Sequence, residues 1–301
     1  MTLTDAQWHD LLHTRATDPA AIARAYRDRR RRPELLSGEG SLFLVAADHP
    51  ARGALGVGGD PLAMADRRSL LERLLVALDN PAVDGLLGTP DVVEELLLLG
   101  ALHDKVVIGS MNRGGLAGAH WEIDDRFTGY DARSIADSGL DGGKMLLRLV
   151  DSDPGTVPTL ASCARAVSEL AAHGLLAMVE PLPYRPDDHG NLVLQRDSTS
   201  LARAVAVGSG LGVTSARTWL KLPAPEDEIP LNATTLPVVV LGGVPSADPA
   251  ADLASWGRTL AHPAVRGLVV GRALLYPSDG DVGAAVDAAA RTLAIARGGD
   301  T

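Results

Sequence analysis

A rhythm that begins after Gly40 constrains the fold more than any other feature of this 301-residue chain. Short runs rich in β-formers end in polar or glycine-bearing turns and give way to stretches with helical spacing of apolar residues. The β-rich runs cover residues 41–47, 84–88, 105–110, 144–150, 175–179, 216–222, 237–241 and 267–270. Helix-like segments such as 66–78, 91–102, 159–172 and 250–261 lie between them. Eight strands alternating with helices imply a parallel sheet, and eight such strands close most simply into a barrel. The expected fold is therefore α/β, a (β/α)8 TIM barrel. No linker rich in Pro, Gly or Ser divides the chain, so residues 1–301 read as one barrel domain, with residues 1–40 as an N-terminal helical extension.

Three stretches interrupt the rhythm. Residues 112–142 are long for a strand-to-helix connection and are expected to hold a lid or extra loop over the active end. The proline-containing segments 181–186 and 223–230 each follow a strand, where an elaborated active-site loop would sit. The basic run at residues 27–32 has no aromatic partners and is expected to be a solvated helix end before Pro33.

Composition narrows the function. Hydrophobic residues make up 46% of the chain, enough for a large core, whereas aromatics make up 3%, too few for a base-stacking platform. A net charge of −10 argues against nucleic acid, but leaves room for a local positive pocket that holds a phosphosugar. The single cysteine, Cys163, excludes an internal disulfide and fits a reducing compartment; its place in a helical segment makes it a small buried residue. The N-terminus lacks the apolar run of a signal peptide, and the leucine-rich stretch near Leu96 is broken by Glu94 and Glu95. A cytoplasmic protein is expected, without a membrane or nucleic-acid partner, assembled as a homo-oligomer around a small-molecule substrate.

In such barrels the reactive groups project from the C-terminal ends of the strands. That rule selects Asp48 and His49 after the first run, Lys144 and Arg148 in the fourth, Glu180 after the fifth and Lys221 in the sixth. Lys221 stands out because it interrupts an apolar run, Trp219-Leu220-Lys221-Leu222-Pro223. It is either a structural ion-pair partner of Glu180 or Asp48, or a desolvated amine near a second cation, Lys144, and able to attack a carbonyl carbon. Lys144 reaches the mouth only if the register of its strand is shifted. Glu180 and Asp48 would move protons. Gly242 and Gly243 after the seventh run, with Gly271 and Arg272 after the eighth, suit a phosphate held by backbone N–H groups and a bidentate cation. Gly56, Gly58 and Gly59 read as a flexible loop, since no P-loop lysine accompanies them.

The same residues carry a resemblance. Segments 45–49, 141–146, 173–181, 220–221, 238–244 and 267–273, in order along most of the chain, resemble the class I aldolases that include tagatose-1,6-bisphosphate and sulfofructose-phosphate aldolases. That group is related to the deoxyribose-phosphate and archaeal fructose-bisphosphate enzymes, and the chain looks like an actinobacterial-type branch linked with inositol catabolism. The resemblance implies a Schiff-base lysine at Lys221, an acid/base glutamate at Glu180, a second active-site lysine at Lys144 and a strand-one aspartate at Asp48. It also implies a phosphate or sulfonate site at Arg272 and Gly243, with no cofactor and no metal. Pro223 stands where relatives place an acidic residue, His49 where a glutamine is common, and the loops after the second and third runs differ.

Other readings remain at this stage. A metal-dependent aldolase needs clustered histidines, and here His103, His173 and His262 fall in helix-to-strand connections on the opposite rim. A Schiff-base acyl transferase or isomerase would use the same lysine. A non-catalytic sugar-phosphate-binding regulator would keep the anion site and lose the acid/base set.

Overall fold

Strands and helices alternate from Leu42 onward in the computed structural model, which describes residues 3–36 and 40–298. Of the expected N-terminal extension, residues 1, 2 and 37–39 lie outside the described residues. Before the barrel come α1 (Asp5–Thr17) and α2 (Ala20–Asp28). The strands are β1 (Leu42–Ala46), β2 (Gly85–Gly88), β3 (Val106–Ser110), β4 (Gly142–Leu149), β5 (Leu176–Pro186), β6 (Leu192–Leu194), β7 (Thr218–Pro223), β8 (Val238–Leu241) and β9 (Val265–Val270). Between and after them run α3 (Arg67–Asp79), α4 (Pro90–Leu98), α5 (Ala132–Asp137), α6 (Thr156–Ala172), α7 (Ser198–Ser209), α8 (Ile229–Asn232), α9 (Pro249–Leu260), α10 (Arg272–Leu275) and α11 (Val282–Ala296). Aspartate side chains cap five of these helices by accepting a first-turn amide: Asp66, Asp131, Asp197, Asp248 and Asp281.

Eight parallel strands pair in the order β4-β3-β2-β1-β9-β8-β7-β5, and β5 pairs back onto β4 to close the (β/α)8 barrel. Alternation along each strand divides the core in two. Leu42, Leu44, Ala46, Val106, Ile108, Leu176, Met178, Val239 and Val269 fill the inside, while Phe43, Val45, Val107, Val179 and Leu220 pack outward against the helices. Leu35, Leu36 and Trp219 pack against the inner cluster. Among the described residues no helix is long and apolar enough to cross a membrane.

Two expectations need correction. The basic run is a solvated helix end only in part: Arg27, in the last turn of α2, is exposed, and so are Arg30 and Arg31, whereas Arg29 is buried and Arg32 half-buried. Helix α2 stops at Asp28, and the four arginines that follow dock on aspartates that precede the strands. Arg29 is buried, donates to the carbonyls of Lys105 (2.9 Å) and Gly139 (2.6 Å), and pairs with Asp141. Arg30 meets Asp104, Arg31 meets Asp141 and Arg32 meets Asp84. Asp84 and Asp141 in turn accept the amides of Phe43 (2.7 Å) and Val107 (2.8 Å), which ties the run to the strand starts.

The fifth strand likewise does not stop at Glu180. It continues to Pro186, pairing β4 as far as Leu149 opposite Pro183 and forming a hairpin with β6. Its prolines are tolerated because β7 pairs only residues 177–179, so a missing N–H on that side breaks no ladder bond; Pro183 turns its carbonyl to the Gln195 amide instead. Residues 112–131 run over the C-terminal end, where the buried Arg148 holds them through the Gly115 carbonyl, Glu122 and Asp125.

Candidate active site

The inner-face alternation that builds the barrel core also delivers the polar groups. Counting on by two from Leu44 and Ala46 gives Asp48; from Ile108, Ser110; from Met178, Glu180 and then Tyr184; from Trp219, Lys221. Lys144 sits third in β4, yet its register partner is Ser110, the last residue of β3. The shear of the barrel therefore raises the start of β4 to the level where β3 ends, which resolves the position of Lys144.

These side chains form one buried chain of alternating charge. Arg113 Nη2 lies 3.1 Å from Asp48 Oδ2, Lys144 Nζ lies 3.2 Å from the same oxygen, and Lys144 also pairs with Glu180 Oε2. Lys221 Nζ completes it, 3.2 Å from Glu180 Oε1. Ser110 Oγ donates to Asp48 Oδ2 at 3.0 Å, so that oxygen is crowded while Oδ1 turns toward His49. Asp48, Lys144, Lys221 and Glu180 are between 1% and 7% exposed.

Burial and charge compete at each group. Burial raises the Asp48 carboxyl, but Arg113 and Lys144 outweigh it and hold it well below the usual range. Glu180 is likewise raised by burial and then drawn down to about 2 by Lys144 and Lys221. Burial, helped by Arg113, lowers Lys144 to about 8 against the pull of Asp48 and Glu180. His49 falls to about 3, chiefly from burial, so its ring is neutral near pH 7.

All nine site residues expected from sequence line one cavity of about 180 Å³: Lys221, Glu180, Lys144 and Asp48, with Arg272, Gly271, Gly243, Gly242 and His49. Arg272 donates to the Gly56 carbonyl (3.4 Å), so the glycine loop after β1 helps to aim it. Two glycines are required here. Gly243 has φ +69°, and a Cβ on Gly271 would lie 2.5 Å from the Ala46 carbonyl oxygen. The sequence reading missed Arg52, Arg113, Tyr184 and Arg196, which line the same cavity. Ser110 and Tyr184 were available from strand alternation; the arginines stand in turns and loops that no periodicity tracks. With them the lining holds six cations against two carboxylates, in a chain whose net charge is −10. Among the described residues no group of three or more His, Cys, Asp or Glu side chains could hold a metal ion.

A family model described as Cgl0159-like matches residues 40–290. The crystal structure of Cgl0159 from Corynebacterium glutamicum is 49% identical over 97% of this chain and 98% of that one, with a TM-score of 0.94. An archaeal fructose 1,6-bisphosphate aldolase shares the fold at a TM-score of 0.66 and 16% identity, covering 88% and 97% of the two chains. Another archaeal fructose-1,6-bisphosphate aldolase, its catalytic lysine bound to the carbinolamine intermediate, gives 0.61 and 15% over 86% and 96%. No curated protein matches the chain.

Proposed function

The chain belongs to the Cgl0159-like family, and we propose that it works as a class I aldolase of carbohydrate catabolism, with Lys221 forming a Schiff base to a ketose phosphate or a related sugar acid or sulfosugar. The observation that carries this reading is a pair of buried lysines sharing one carboxylate, Glu180, in a cavity where cations outnumber carboxylates. Arg113, Lys144 and Lys221 face only Asp48 and Glu180, so the cluster becomes neutral when one lysine gives up a proton. Desolvation favours that loss. Lys144 is held by two carboxylates and Lys221 by one, which leaves Lys221 the freer amine to attack.

In this mechanism Lys221 gives up its extra proton to water and its lone pair bonds to the ketone carbon; the nitrogen then passes one of its two remaining protons to the carbonyl oxygen, which becomes a hydroxyl. A further proton, passed from Lys144 across Glu180, lets that hydroxyl leave as water and gives the iminium. The Glu180 carboxylate then accepts the proton of the hydroxyl on the second carbon from the iminium. The bond between the first and second carbons breaks, an aldehyde departs, and the electron pair moves to the iminium as an enamine. Protonation and hydrolysis free the ketone product and Lys221. Asp48, held ionised, orients the substrate hydroxyls through Oδ1. Backbone N–H groups at Gly243 and Gly271, with Arg272, hold the anionic group.

Borohydride added during turnover of a panel of ketose phosphates, sulfosugars and keto-acid phosphates tests this by mass spectrometry. A stable adduct on Lys221, absent in Lys221→Met, is the expected result. An adduct on Lys144 instead, or none with any ketone that is turned over, would remove Lys221 as the nucleophile.

A further inference from the structure

Arg113 differs from the other buried arginines. Arg29 and Arg148 each leave only Nε without a hydrogen-bond partner, whereas Arg113 leaves both Nε and Nη2. Those two nitrogens form the edge of the guanidinium that grips two oxygens in parallel. The side chain is 4% exposed and lines the cavity. Its Nη1 donates to the Asp48 carbonyl at 3.3 Å, and Asn112 holds the preceding turn by exchanging hydrogen bonds with the backbone of Leu146. Nη2, although 3.1 Å from Asp48 Oδ2, is not aligned to donate to it.

Its place in the barrel gives the edge a meaning. Arg113 follows β3 and Gly243 follows β8, four steps apart in a closed ring of eight strands and so across the mouth from each other. Lys144, Glu180 and Lys221 stand on β4, β5 and β7, along the arc between them. We infer that the substrate carries a second anionic group, a carboxylate, at the end of its carbon chain remote from the Arg272 site, and that Arg113 receives it. This deepens the reading given above and rests on it for the carbohydrate skeleton.

A planar monoanion fits this end better than a phosphate. Only one guanidinium edge is offered, and the ionised Asp48 beside it would repel a second negative charge. The opposite end suits a dianion, with Arg272 and Arg196 on the lining and an open backbone at Gly243.

Calorimetry with two ketone-free probes separates this inference from the Schiff-base reading. 6-Phosphogluconate has a carboxylate at one end and a phosphate at the other; glucitol 6-phosphate replaces the carboxylate by an alcohol. The wild-type protein is expected to bind the acid about 10–100-fold more tightly. Arg113→Met should bring the two affinities together, and Arg272→Met should weaken both. Because Arg113→Met leaves Asp48 short of a cation, Arg113→Lys serves as the second variant: it keeps the charge, loses the fork, and should lose most of the preference. Equal binding of both probes to wild type, or an equal loss on both in Arg113→Lys, overturns the inference. A missing borohydride adduct would sink the aldolase mechanism and leave this contrast standing.

Discussion

The two rims of the barrel are built from the same kinds of residue and put them to different uses. At the N-terminal rim each of the four consecutive arginines 29–32 meets an aspartate, and two of those aspartates, Asp84 and Asp141, also hold a strand start, so charge is met where it stands. In the cavity at the C-terminal rim six cations stand against two carboxylates, with Arg52 also meeting Glu122 outside the lining, and Arg113 keeps Nε and Nη2 without a hydrogen bond. Matched charge fixes an arm to a scaffold. Surplus charge, buried where a barrel opens, destabilises protonated lysine and attracts an anion. The difference lies in pairing, not in composition.

The sharpest way to break this comparison is to disable one rim at a time. Lys221→Met is expected to lower kcat by on the order of 10⁴-fold or more, while Glu180 keeps Lys144 as its partner and the melting temperature stays close to wild type. Asp84→Ala should do the reverse. It removes the acceptor for the Phe43 amide and the partner of Arg32, at a cost of about 3 kcal/mol, or roughly 5–10 °C in Tm, with kcat unchanged. Circular dichroism melts and steady-state kinetics on both variants check this. A large loss of kcat in Asp84→Ala would show that the rims are not separable.

pH sharpens it next. With Lys144 lowered to about 8, kcat/KM should rise as pH passes about 8 and the cluster sheds its surplus proton. That titration is set by the burial of Lys144 and by the charges of Arg113, Asp48 and Glu180 around it. Arg113→Met removes a cation and should move the midpoint upward by on the order of one pH unit, and Asp48→Asn should move it downward. Stability follows the same groups. The unfolded chain holds more protons on Lys144 between about 8 and its ordinary 10.5, so stability rises with pH across that window. Glu180, at about 2 against an ordinary 4.5, contributes fully above 4.5, and that contribution is lost as pH falls toward 2. A flat profile between pH 6 and 9, or a downward move in Arg113→Met, would contradict the surplus-charge argument.

How far the sequence could be read follows from what is periodic in it. The β-rich runs announce the barrel, because alternation and helix spacing are local properties, and the strand-end rule then selects Lys221, Glu180 and Asp48. Lys144 needed the register, since shear between β3 and β4 is set by pairing across the barrel and not by either strand alone. Arg29 was misread because a run of arginines looks solvated until Asp84, Asp104 and Asp141, more than 50 residues away in sequence, are brought beneath it. The extension of β5 was hidden by Pro181 and Pro183, which discourage a strand unless its partner on that side has already ended. Arg113 and Arg196 stand on loops, where position is fixed by contacts and leaves no signal in spacing.

Arg196 yields the smallest expected effect and probes the edge of the comparison. It is exposed on the segment after the β6 hairpin, and its Nη2 lies 3.9 Å from where a Cβ on Gly243 would be, so it hangs over the anion site from outside. Arg272 is partly buried at the base of the same site. A buried charge-assisted contact is worth more than an exposed one, which water and salt screen. Arg272→Ala should therefore raise KM for a phosphorylated substrate about 10–100-fold, with little change for its unphosphorylated analogue. Arg196→Ala should raise it only about two- to fivefold at low ionic strength, and the effect should fade as salt is added. If the Arg196 effect matched that of Arg272 and ignored salt, the hairpin would have to close over the bound anion and desolvate it, and surplus charge at this rim would extend beyond the buried layer.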